Sequence, residues 1–162
     1  VSDKIRAGIF GYTDFRVTAG KYFGTLPFTL LEIHNGNETY FYDKRAFNLM
    51  NFFEFVSDEY ATVMINHHFD GFFLNKFPIM QKLKWREVIS LRTVAGRLSN
   101  RHRSELIFPE TTYELDVPYM ELAIGIENIF KFFRIDGLKR LNYLDHPNVS
   151  EYGIRGTIDI KF

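Results

Sequence analysis

The sequence predicts an all-β protein, an antiparallel up-and-down transmembrane β-barrel to which this chain supplies about six C-terminal strands. Three observations carry that expectation. The chain holds 18 Phe and 9 Tyr against a single Trp, a composition that suits pleated strands better than helices. Its last segment alternates apolar and polar residues without a break. Charged residues recur on the side of the strands opposite the apolar one.

Tyr152, Ile154, Gly156, Ile158, Ile160 and Phe162 alternate with Gly153, Arg155, Thr157, Asp159 and Lys161. This is period-two patterning over the length that a tilted strand needs to cross a bilayer. Upstream, residues 131–143 place Phe133, Ile135, Leu141 and Tyr143 on one side and Arg134, Asp136, Arg140 and Asn142 on the other, with Leu138 and Lys139 out of phase. Residues 119–127 put Met120, Leu122, Ile124 and Ile126 outward and Glu121, Ala123, Gly125 and Glu127 inward.

Weaker alternation marks strands at 85–98, 60–70 and 4–20. A long loop spans 21–59, a short amphipathic helix is expected at FPIMQKLKW, and 99–118 is polar and irregular. A soluble sandwich fills its interior with apolar side chains. Here the inward side carries charge, and the apolar side carries Ile, Leu, Met and Phe with Tyr152, Phe162, Phe133 and Tyr143 near the strand ends, as in a lipid-facing band with aromatic girdles. Six strands cannot enclose so many charges and a long loop, so further strands are expected ahead of Val1.

Composition narrows the function classes. Twenty basic residues balance twenty acidic ones, which argues against nucleic acid as a partner. The chain has no Cys, so thiolate chemistry and disulfides are absent. There is no apolar run of helix-spanning length, and VSDKIRAGIF does not resemble a signal peptide.

No catalytic, cofactor or metal site is expected. His67 and His68 point to opposite faces of a strand, and His34, His102 and His146 read as solvated loop residues. Ser57-Asp58 and Ser99 lack a nucleophile-elbow context. Glu121, Glu127, Asp136 and Asp159 could form an acid–base group, but with Arg134, Arg140 and Arg155 on the same faces they read as a lumenal network of paired charges.

The terminal Phe162, preceded by Tyr152, Gly156, Ile158 and Ile160 at alternate positions, resembles the insertion signal of bacterial outer-membrane barrels. The resemblance implies docking of this strand by the barrel-assembly machinery through its free edge. The stretches GKYFGTLPFTLLEIHNGNETYFYDKRAFNLMNFFEFVSDEYA, HHFDGFFLNKFPIMQKLKWREV and GIENIFKFFRIDGLKRLNYLDHPNVSEYGIRGTIDIKF resemble the C-terminal barrel region of Bacteroidota outer-membrane proteins. In those proteins a carboxypeptidase-regulatory-like domain precedes a barrel of unknown function.

That family is distantly similar to the surface-antigen barrels of outer-membrane assembly factors. In those barrels the corresponding long loop folds into the lumen with an Arg-containing motif. KRAFNLMNFFEF departs from the motif, and Arg45 is the candidate for its part. The resemblance implies an outer-membrane location, lipid as the surrounding partner and a structural role. The alternatives are an assembly or translocation factor, and a soluble β-sandwich or lipocalin-like binding module.

Overall fold

Period-two alternation builds most of the chain into one sheet. The computed structural model describes residues 1–100, 102 and 109–158. Its strands are β1 (Ser2–Arg6), β2 (Tyr12–Lys21), β3 (Glu32–Ile33), β4 (Val56–Ser57), β5 (Glu59–Phe69), β6 (Arg86–Arg97), β7 (Tyr119–Ile129), β8 (Phe133–Arg140) and β9 (Tyr152–Ile158). Seven of them form an antiparallel sheet in the order β1-β2-β5-β6-β7-β8-β9, and β3 pairs with β4 at the base of the long loop. The fold is therefore all-β, and within this chain the sheet is open, with β1 and β9 as its edges.

The single strand expected over 4–20 is two strands. Gly8 and Gly11 take positive φ values of 61° and 90°, and Ala7 N–H donates to the Gly11 carbonyl at 2.8 Å, so the chain reverses there. Ile5 then pairs with Thr13 and Lys4 with Asp14. This raises the number of strands in the large sheet to seven.

At the other end, β8 stops at Arg140, short of the expected 143. Tyr143 takes φ 54° and turns its ring inward to 4.8 Å from Phe55. It belongs to the core and not to an outer aromatic girdle. Leu138, out of phase with an apolar outward face, also points inward and packs with Tyr42, Leu49 and Ala123. Helix α1 (Pro78–Leu83) forms where the amphipathic segment lies. Proline stands at its start and Lys84 closes it in the left-handed region at φ 56°.

The register places every inward position on one face. Glu121 lies between Arg92 and Arg140, Asp136 between Gly125 and Arg155, and His68 between Tyr12 and Val88. The long loop folds back over this face. Its Phe47, Met50 and Phe55 make the main hydrophobic cluster with Met64, Val94, Leu115 and Tyr119. The core thus lies between the loop and the inner side of the sheet.

Opposite it, Ile89, Ile124, Ile135, Ile154 and Ile158 are exposed. The ordinary distribution is inverted along these strands: charge is buried inside, and large aliphatic side chains face out.

Candidate functional site on the inner face

Each inward charge of β6 to β9 is held by a specific partner, and the long loop supplies most of those partners. Arg140 is fully buried. Its guanidinium donates to both carboxylate oxygens of Glu54, at 2.6 and 3.0 Å, and also to the carbonyls of Asn142, Leu49 and Tyr143. Glu54 in turn accepts from Asn51 N–H at 2.9 Å and meets His146 Nδ1 at 2.9 Å. A bidentate Arg–carboxylate pair with its remaining donors and acceptors satisfied is the one form in which burial of both charges is tolerable.

Glu121 serves the loop backbone. Its two oxygens accept Asn48 N–H at 2.8 Å and Leu49 N–H at 3.0 Å, and the Tyr119 hydroxyl donates to it at 3.2 Å. Tyr42 enters between two cations, with Arg92 and Arg134 each 4.7 Å from its ring centroid and Arg92 Nη1 donating to its hydroxyl at 2.5 Å. Such cation–π contacts are strongest when desolvated.

Arg134 also donates to Asp136 at 2.6 and 2.7 Å. This is a pair between two of the charges that the sequence places on the inner face. Glu127 meets His68 Nδ1 at 3.0 Å, while Asp14 meets His68 Nε2 at 2.9 Å. Both ring nitrogens face carboxylate oxygens, an arrangement satisfied in full by the doubly protonated ring.

Arg155 donates to the carbonyls of Asn48 and Ile154. Arg45 is exposed, and its backbone N–H donates to Asp43; it lies at the lip of a cavity on the inner face. Tyr152, Gly156 and Ile158 lie on β9 with their side-chain positions outward. Gly156 also exchanges hydrogen bonds with Tyr42 N–H and the Tyr40 carbonyl. Asp159, Ile160 and Phe162 lie outside the described residues.

The loop histidines are not solvated. His34 is buried, with Nε2 2.9 Å from Ser57 Oγ, and burial pulls its pKa down to about 4. His102 is buried and meets Asp58 at 2.8 Å and Ser99 Oγ at 3.2 Å. That trio contains the residue types of a hydrolytic triad, but both partners meet the same Nδ1, and Nε2 accepts Leu26 N–H at 3.1 Å. The serine therefore has no base on its own side of the ring, and the trio ties Leu26, Ser99 and His102 to Asp58 at the loop base.

Among the described residues no group of three His, Asp or Glu side chains could hold a metal ion. At His68 the two carboxylates approach opposite edges of the ring, so three donors do not converge. The partners that sequence reasoning missed are Tyr42, Asn48 and Glu54. They fall in an irregular segment where no periodicity marks which side chains turn inward.

Residues 1–108 match the Family of unknown function (DUF5686) C-terminal domain. The chain belongs to that family. The matched span holds β1 to β6 and the whole long loop, including Tyr42, Arg45 and Glu54. No curated protein and no solved structure matches.

Proposed function

We propose that this family member forms part of the wall of an outer-membrane β-barrel, with a structural role, lipid against its outer face and a loop-plugged polar lumen inside. The observation that carries the reading is the inverted burial. Arg92, Glu121, Asp136 and Arg140 are at most 1% exposed, while Ile124, Ile154 and Ile158 are 62%, 73% and 58% exposed. Water gives no reason for that distribution, whereas hydrocarbon outside and water inside gives both halves of it.

Closure of the barrel is supplied by strands ahead of Val1, which pair with the free edge of β1 and meet β9 once residues 40–42 leave the edge they occupy at Gly156. In this reading the parent is a Bacteroidota outer-membrane protein with a carboxypeptidase-regulatory-like domain ahead of the barrel. Tyr152, Gly156, Ile158, Ile160 and Phe162 form the signal that the assembly machinery docks, and no catalytic chemistry is involved. A second reading, a factor that inserts or exports other proteins, is favoured by the position of segment 34–55 over the inner face.

The test is membrane fractionation of the source cell with gel mobility of the parent before and after boiling. A heat-modifiable band in the outer membrane is the expected result. A soluble parent without a mobility shift overturns the reading in favour of a soluble β-sandwich binding module. Loss of other outer-membrane proteins on depletion of an intact parent promotes the second reading.

A further inference from the structure

The loop covers the inner face unevenly. It lies over β6 to β8, whose inward side chains are mostly buried, and over β9, whose inward side chains are half-buried, while all of β1 and residues 16–19 of β2 stay exposed. Between the open half and the loop's edge lies a cavity of about 610 Å³. On its floor His68 is held between Asp14 and Glu127, and Arg134 is held by Asp136. Asp3 at the margin accepts Lys4 N–H. Asp14 and Glu127 are thus already engaged inside the protein, while Asp3 stays exposed at the margin.

Three of the cations at its rim are not so engaged. Arg16 and Arg45 both line the cavity, one on β2 and one on the loop. Both are exposed, and neither forms a salt bridge among the described residues. The Lys4 ammonium rests 3.5 Å from the centroid of the Tyr12 ring, which fixes its position and leaves its donors without an acid.

Positive charge in a concave site with low-dielectric walls concentrates anions, and two guanidinium forks favour planar, bidentate acceptors. The volume is in the range of small-molecule sites and well above that of one phosphate.

We propose that this cavity binds a soluble anion bearing phosphate or carboxylate groups, clamped by Arg16 and Arg45 with Lys4 beside them. The inference rests on the reading of this face as a water-filled lumen, which also turns the rim away from lipid headgroups.

The experiment uses the full-length parent, folded in detergent, titrated calorimetrically with inorganic pyrophosphate at low ionic strength. Saturable binding is expected, weakening as sodium chloride is added. The Arg16→Glu, Arg45→Glu double variant should bind at least tenfold more weakly, and Lys82→Glu, on the exposed face of α1, should bind as the parent does. Heat-modifiable mobility of each variant reports that the fold is intact. A heat-modifiable parent that ignores pyrophosphate, or a folded double variant that binds equally, overturns the site. A parent that shows no heat-modifiable band overturns the barrel reading first, and the site with it.

Discussion

Arg140 and Glu54 stand 86 positions apart in sequence, and their pairing is what makes a charged inner face compatible with a packed core. Removing either partner leaves a buried charge unmatched, at a cost of about 3–5 kcal/mol. His34 is the neutral counterpart on the same loop. Its burial holds the ring uncharged in the folded state, with a pKa of about 4 against an ordinary 6.5. Above pH 6.5 both folded and unfolded loops carry the neutral ring, and the full contribution is present. As pH falls from 6.5 towards 4 the unfolded loop takes up a proton that the folded loop refuses, so stability is lost, by at most about 3 kcal/mol. Protease nicking of segment 34–55 is therefore expected to accelerate across that window in the parent and to lose most of this pH dependence in His34→Asn. Equal slopes in the two proteins would show that His34 does not carry the effect. At this scale the inward strand charges were legible, because alternation alone assigns Glu121, Asp136 and Arg140 to one side. Glu54 and Tyr42 were not, since only the tertiary fold brings them onto that side.

The same contrast holds for elements. The strand at 119–127 is readable from its alternation, and those at 60–70 and 85–98 are readable from a weaker one. The stretch 4–20 reads as one strand because its polar residues hide the reversal, although GIFG carries the two glycines that permit it. Gly11 is the decisive position of that hairpin. It combines φ 90° and ψ −131°, a region open essentially to glycine alone, with a backbone so close to β5 that a Cβ would run into the His68 carbonyl. Gly11→Ala must therefore strain the turn or push β1 and β2 away from β5. The expected cost is above about 3 kcal/mol, since backbone strain and a backbone clash add. Hydrogen exchange should report it as lost protection of the β2–β5 ladder, while β7–β8 stays protected. An unchanged β2–β5 ladder in Gly11→Ala would refute this account of the turn. Segment 34–55 was the other illegible element: it contributes most of its structure through the contacts of Phe47, Met50 and Phe55, which have no local period to reveal them.

For the whole molecule, the question is which solvent meets the outer face. Ile124 stands at the middle of β7, paired across the sheet with Ile89 and Gly137, and 62% of it is exposed. In water, an exposed side chain with so few contacts can be exchanged for a charged one at a cost within about 0.5 kcal/mol. At the midplane of a bilayer the same change costs about 2–4 kcal/mol, because the guanidinium must be drawn into hydrocarbon or drag water after it. Ile124→Arg therefore separates the two environments by its size alone, without requiring any ligand or activity. Refolding of the full-length parent into lipid vesicles from urea should show the penalty as a lowered folding midpoint. The matched change nearer the strand end, Met120→Arg, should cost less, since its side chain reaches the headgroups. A flat response at both positions would place the outer face in water, and the exposed isoleucines would then mark a surface for a protein partner in place of lipid.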